Sequence, residues 1–155
     1  MTDHEFMRLV FKGNQDAINL IDNVRVISHV WDDVVDGNPR LTREQVSDAF
    51  MLALVTLPDN PFYVQHRAAL RGVMTVGALN WKIANQFERG NAEERVLAHV
   101  LRYSIADICV LIAHLIGGPD WAEQHGPELR RRSQKDTLKN YLSELEERDG
   151  TKPAP

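Results

Sequence analysis

The sequence predicts an all-α fold, a single compact bundle of five or six helices. Three observations predict it. Apolar residues recur at steps of three and four over long stretches, which is the period of an amphipathic helix. Most of these stretches come after a residue that favours helix N-termini, namely Thr2, Asn14, Thr42, Asn60 and Asn91. No stretch between turn signals alternates apolar and polar residues as a half-buried strand would.

The first two helices are separated by a glycine. Thr2 and Glu5 have the spacing of a capping box, and Gly13 favours a helix stop. Asn14 can then cap a second helix from about residue 15 to residue 36, just before Gly37. The apolar stripe of this helix is Leu20, Val24, Ile27, Trp31 and Val34.

The third helix begins with a second capping-box pattern, Thr42 and Gln45. Its apolar stripe passes through Phe50 and Leu54 and ends at Leu57, just before a proline. We therefore expect a helix over residues 42–57.

The fourth helix has a strong start signal, because Asn60 can cap it and Pro61 stands at the first helical position. It is expected to reach Arg89. Gly72 and Gly77 lie inside it and lower its helix propensity. Close approach of a neighbouring helix would explain both glycines.

The fifth helix is predicted to be the centre of the bundle. Asn91 and Glu94 can cap it, and its pattern continues to Ile116 before two glycines. It is apolar on most sides over about residues 92–116, as expected of a helix surrounded by others. Pro127 is expected to open a last amphipathic helix. The chain then forms one domain over residues 1–149, with a flexible C-terminal tail over 150–155.

The composition of the chain argues against several classes of function. The 155 residues carry a net charge of −4, which gives no electrostatic case for binding nucleic acid. Cys109 is the single cysteine, so an internal disulfide and a thiolate zinc site are excluded. The N-terminus lacks the pattern of a signal peptide, and the most apolar stretch, 105–116, is too short to span a bilayer. We expect a soluble, cytoplasmic protein with no membrane contact, or a virion-associated one if a virus encodes it.

Three acidic residues at the end of the second helix are the main hint of chemistry. On a helix, Asp32, Asp33 and Asp36 lie close together, so their charges need solvent, basic partners or a cation. Magnesium prefers oxygen ligands and often bridges carboxylates to a phosphate. This hypothesis makes the three aspartates metal ligands and lets Arg25 or Arg40 contact a phosphorylated ligand. The alternative is a solvated helix end.

Asp107 is the fourth candidate metal ligand. It stands within an apolar run, where an unpaired carboxylate is costly. One interpretation is a buried network in which Asp107 accepts from Tyr103, a histidine, or an arginine such as Arg25 or Arg102. The other places Asp107 opposite the three aspartates of the second helix, so that two helices share a cation.

The stretch 28–37, SHVWDDVVDG, resembles the first aspartate-rich motif of class I isoprenoid synthases. In that all-α family the aspartates of DDxxD hold magnesium ions on a substrate diphosphate. The resemblance implies that Asp32, Asp33 and Asp36 are the magnesium ligands. The basic segment that comes after the motif in the family is reduced here to Arg40, and a second acidic motif is missing.

The chain is also similar in style to small proteins of tailed bacteriophages. The similarity rests on residues 31–33, 60–63 and 117–121 within one short helical chain. It implies a virion or accessory component and specifies no activity.

The sequence supports two hypotheses, and whether the protein is an enzyme stays open between them. The first is a binder of magnesium and a phosphate or diphosphate ligand at the aspartate-rich helix end. The second is a non-enzymatic helical assembly or adaptor protein that self-associates or binds a protein partner. An Asp107 that pairs with an arginine favours the second. The partner surface is then expected to use Phe6, Phe11, Phe62, Tyr63 and Trp121.

Overall fold

The structure is a computed structural model that describes residues 1–150. It confirms the all-α prediction, because helices and turns without strands make up this range. The α-helices are α1 (Asp3–Val10), α2 (Gln15–Asp36), α3 (Arg43–Met51), α4 (Pro61–Gln65), α5 (Arg67–Phe87), α6 (Ala92–Arg102), α7 (Ile105–Gly117), α8 (Pro119–Ser133) and α9 (Leu138–Gly150). A short π-helical turn, Leu52–Thr56, continues α3.

Five of the predicted helix starts are confirmed by hydrogen bonds. At α1, the Glu5 N–H donates to Thr2 Oγ1 at 3.2 Å, and the Thr2 N–H donates to Glu5 Oε2 at 2.7 Å. The same reciprocal pair begins α3 and α6. Asn14 and Asn60 cap α2 and α4 with their side-chain oxygens. These bonds satisfy N–H groups that a helix start otherwise leaves without partners.

The predicted continuous helix over 92–116 is wrong, because the chain breaks between α6 and α7, which meet at 40°. Ser104 Oγ donates to the Leu101 carbonyl at 2.7 Å. The N–H groups of Ala106 and Asp107 bond to carbonyls only three residues back, which tightens the turn. A serine side chain that bonds to a nearby carbonyl competes with the helical ladder.

The break is also where α5 comes closest. A Cβ added to Gly77 would lie 3.3 Å from Ser104 Cβ, so the prediction of a close approach is confirmed at Gly77. At Gly72 it is wrong, because an added Cβ would meet nothing within 4 Å.

The central position belongs to α7 alone. Its Ile108, Cys109 and Ile112 are buried, and α2, α5 and α8 pack around it. Cys109 is fully buried, and this burial raises the pKa of its thiol to about 12. By contrast, Val96, Leu97 and Val100 of α6 are exposed, so the prediction of a surrounded helix is wrong for that half.

Other boundaries differ from the sequence prediction. The predicted fourth helix is divided at His66 into α4 and α5. Pro127 does not open a helix; it lies inside α8, which begins at Pro119 after Gly118 with φ 88°. Proline at a first helical position loses no hydrogen bond, which makes Pro119 the better start. Gly150 is the last residue of α9, and 151–155 lie outside the described residues.

Two apolar clusters hold the helices together. The larger contains fully buried residues of α1, α2, α5, α7 and α8, with Leu20 and Ile112 among them. The smaller joins α5, α6 and α9 through Ala84, Ala98 and Tyr141. Within residues 1–150, no single helix has the length and apolarity to cross a membrane; only α6 and α7 taken together across their bend pass that test.

Candidate functional site

Asp32, at the end of α2, is paired within the chain. Arg102 of α6 donates from Nη1 to Asp32 Oδ1 at 3.1 Å. Burial raises the pKa of Asp32, and the charge of Asp36 raises it further, against the opposing effect of Arg102. A metal ion at Asp32 would therefore have to compete with a guanidinium that is already in place.

The other two aspartates of the cluster have different surroundings. Asp33 Oδ1 accepts from the Asn38 side chain at 3.1 Å, and its carbonyl accepts from the Asn38 N–H at 2.9 Å. Gly37 takes the left-handed conformation, with φ 68°, that lets the chain turn back in this way. Asp36 is exposed. The DDxxD stretch thus combines an ion pair, a helix-end hydrogen bond and a solvated carboxylate.

Asp107 pairs with Arg130 of α8. Its side chain is 38% exposed, so it is not the deeply buried acid that its apolar sequence neighbours suggested. An arginine was one of the partners that the interpretation as a buried network allowed, but Arg130 is neither Arg25 nor Arg102, and the pair is not buried. Asp32 and Asp107 are therefore held by different arginines on different helices.

The two arginines expected to contact a phosphate have separate surroundings. Arg25 pairs with Asp22 on its own helix at 3.5 Å. Arg40 is exposed, and its main-chain N–H donates to Asn38 Oδ1 at 3.0 Å. Within residues 1–150, no group of three or more His, Cys, Asp and Glu is arranged to hold a metal ion. Magnesium binding at this helix end stays a prediction.

The strongest polar cluster of the described chain surrounds Glu88, which the sequence did not single out. Glu88 is 5% exposed and sits at the C-cap of α5. Arg102 donates to its Oε1 from Nε at 2.9 Å and from Nη2 at 2.6 Å. The Tyr141 hydroxyl donates to the same oxygen, and Arg148 donates to Oε2 at 3.2 Å. This Glu88 cluster ties α5, α6 and α9 together, beside the smaller apolar cluster to which Tyr141 also belongs.

The surroundings within the Glu88 cluster stabilise the charged forms of Glu88 and Arg102. Burial pushes the pKa of Glu88 upward, but hydrogen bonds from Tyr141, Arg102 and Arg148 outweigh it, so the pKa lies below its ordinary value. The pKa of Tyr141 is raised by burial and by its bond to Glu88. Arg102 keeps a raised pKa despite burial, because Tyr141 and Glu88 stabilise its charge. A buried carboxylate that is fully paired is a structural group rather than a free acid or base.

An aromatic pair covers the same region. The rings of Trp31 and Trp81 lie 4.3 Å apart at their centroids, and the Arg102 guanidinium lies 5.6 Å from the centre of the Trp81 ring. This contact joins α2 to α5. Trp121 is partly buried, and its Nε1 donates to the Val10 carbonyl at 2.9 Å.

The expected partner surface is wrong. Phe6, Phe11, Phe62 and Tyr63 are buried, and Trp121 packs against the main core. Helical periodicity indicates that these residues lie on apolar stripes, but it does not reveal which stripes other helices cover.

A group of exposed large apolar side chains lies instead on α3 and the π-helical turn. Leu54 is 71% exposed and Phe50 63%, and Met51 and Val55 are also exposed. We call these four residues the α3 face.

The π-helical turn explains why Leu57, on the same predicted stripe, is nevertheless buried. Its N–H bonds to the Leu52 carbonyl five residues back, at 2.8 Å. The wider turn adds a residue and so rotates Leu57 towards the core.

Comparison with protein-family models, with curated proteins and with solved structures finds no match for this chain.

Proposed function

We propose that this chain is a non-enzymatic assembly protein that self-associates through the α3 face. One observation carries the proposal: two adjacent pairs of large apolar side chains, four residues apart, are exposed on a single helical segment. Contiguous apolar surface of this kind is uncommon on monomers and is typical of interaction sites.

The residue types of the α3 face support this role. Phenylalanine and methionine are enriched at the centres of protein interfaces, and methionine adapts to irregular partner surfaces. The segment also includes the π-helical turn, a conformation that occurs preferentially at functional sites. Both features are expected where a helical segment docks against another protein.

A second copy of the chain is the occupant we favour. The four residues of the α3 face are uncharged, so a twofold contact that these residues make buries none of their own charge. Such an isologous contact covers the same apolar surface on both partners at once.

The pairing of the candidate metal ligands supports the proposal that the protein is not an enzyme. Asp32 and Asp107 each bond to an arginine of this chain, and Asp33 closes the end of α2. Side chains bound in this way contribute to the packing of α2, α6, α7 and α8. The bacteriophage origin and virion location implied by the resemblance remain predictions.

Sedimentation velocity across a range of protein concentrations tests the proposal. We expect the wild-type chain to sediment as a dimer or larger species, with the monomer fraction rising on dilution. Leu54→Glu should sediment as a monomer at every concentration, because it places a charge in the centre of the contact. Leu9→Glu is the matched control: it alters an exposed leucine on α1 and should leave the assembly unchanged.

Two results would contradict the proposal. One is a wild-type protein that stays monomeric over roughly 1 to 100 µM, a range that includes ordinary dissociation constants of weak dimers. The other is an oligomer that survives in Leu54→Glu, which would place the contact on another surface.

A further inference from the structure

An open cleft lies where α4 meets α5, away from the aspartate-rich helix end. Its volume is about 320 Å³, and its walls are Pro58, Tyr63, Val64, Arg67 and Arg71. This volume is at the lower end of the range for small-molecule sites.

Two positive charges line this cleft. Arg67 and Arg71 are exposed, and neither guanidinium forms an ion pair or a hydrogen bond with any part of the chain between residues 1 and 150. The sequence of α5 contains no aspartate or glutamate to screen them. Like charges four residues apart on a helix repel each other. An anion between the two guanidinium groups would remove that repulsion.

A third donor comes from a buried side chain. Tyr63 is only 9% exposed, and its hydroxyl has no hydrogen-bond partner among the described residues. The hydroxyl is not sealed from solvent, since the fully enclosed unpaired polar atoms of the described chain are on Arg95 and His125. Because Tyr63 forms a wall of the cleft, a ligand there can accept a hydrogen bond from it.

We propose that the cleft binds a small organic phosphate, a phosphomonoester held by Arg67, Arg71 and Tyr63. The phosphate dianion carries two negative charges, which two guanidinium groups balance, and three acceptor oxygens, which match three donor groups. Pro58 and Val64 contact the apolar part of the ligand. This site is separate from the α3 face, so its failure would leave the assembly proposal untouched.

Phenyl phosphate is the probe, titrated by isothermal calorimetry at low ionic strength, with benzoate in parallel. We expect saturable binding of phenyl phosphate. Arg67→Gln and Arg71→Gln should each weaken it about tenfold or more, the usual effect of losing a hydrogen bond from a charged donor. Tyr63→Phe should weaken it less, because it keeps the ring and removes one neutral donor.

Arg43→Gln is the matched control, since Arg43 is an exposed arginine on α3 and its loss changes the net charge equally. Binding of phenyl phosphate should be unchanged in this variant. Circular dichroism should show an intact fold in this variant and in the three cleft variants. Equal weakening in Arg43→Gln would overturn the proposal, as would an absence of saturation below about 10 mM phenyl phosphate. Benzoate binding as tightly as phenyl phosphate would overturn the assignment to a phosphate.

Discussion

The guanidinium of Arg102 lies 3.1 Å from Asp32 Oδ1, across the gap between α6 and the end of α2. The same group bonds to Glu88, so the aspartate-rich helix end is joined to the most buried ion pair of the described chain. Through Arg102, Asp32 thereby links the end of α2 to α5 and α6. A sequence motif that resembles a metal site can therefore serve helix packing.

The first prediction concerns the stability that Arg102 contributes. Arg102→Gln leaves Glu88 buried with fewer partners, and breaking a buried pair in this way costs about 3 kcal/mol or more of unfolding free energy. Urea unfolding followed by tryptophan fluorescence measures it, since Trp81 lies beside Arg102. Arg25→Gln is the control: its pair with Asp22 is exposed, so the loss should stay below about 1 kcal/mol. Equal effects of the two variants would show that the Glu88 cluster does not stabilise the fold.

The second prediction concerns magnesium. We expect millimolar magnesium chloride to leave the melting temperature unchanged relative to the same ionic strength of sodium chloride. The reason is that both carboxylates already have partners. Arg102 donates a hydrogen bond to Asp32, and the Asn38 side chain donates one to Asp33. A magnesium-specific rise that disappears in Asp33→Asn would contradict this expectation and would support the metal hypothesis for Asp32, Asp33 and Asp36. Differential scanning fluorimetry suffices for the measurement.

The third prediction concerns acid stability. The folded pKa of Glu88 lies below its ordinary value of 4.5, so the folded state holds this proton less tightly than the unfolded chain. Its contribution to stability is present above pH 4.5 and is lost as the pH falls through the folded pKa. Asp32 acts in the opposite sense, because its raised pKa favours the folded state at low pH. We expect the Glu88 effect to dominate, because Tyr141, Arg102 and Arg148 all donate hydrogen bonds to its carboxylate.

A pair of variants separates the Glu88 contribution from that of the surface carboxylates. Glu88→Gln should be less stable than the wild type at pH 7 and should lose less stability between about pH 5 and pH 3. Tyr141→Phe removes one donor to Glu88 and should give a smaller change in the same direction. Urea midpoints measured across this range provide the test. If the stability of Glu88→Gln falls with acid as steeply as that of the wild type, the pH dependence comes from other groups.

Much of the fold was predictable because helix starts are local. The side chains of Thr2, Asn14 and Asn91 each accept a hydrogen bond from the main-chain N–H three residues further on. A few residues of sequence therefore include both the donor and the acceptor. The break at Ser104 depends on a distant helix that approaches at Gly77, and periodicity alone does not reveal such a contact.

The candidate sites were less predictable, for a related reason. Glu88 and Tyr141 are 53 residues apart, and near Arg89 and Gly90 the glutamate has the appearance of an ordinary solvated helix end. Phe50 and Leu54 of the α3 face were on an expected stripe, but their exposure depends on which helices pack nearby. The cleft residues Tyr63 and Arg67 have a helical spacing that is too common to give a signal until the cleft is seen.

The fourth prediction uses two glycines of α5 as a matched pair. At Gly72 an added Cβ meets nothing within 4 Å, so Gly72→Ala should raise the unfolding free energy by about 0.5 to 1 kcal/mol through helix propensity alone. At Gly77 the added Cβ would lie 3.3 Å from Ser104 Cβ, tighter than ordinary contact. Gly77→Val should therefore destabilise the protein by about 1 to 3 kcal/mol, because a branched side chain would push α5 away from the α6–α7 break. Urea unfolding of both variants measures the difference. A Gly77→Val protein as stable as the wild type would show that α5 and Ser104 are not in close contact.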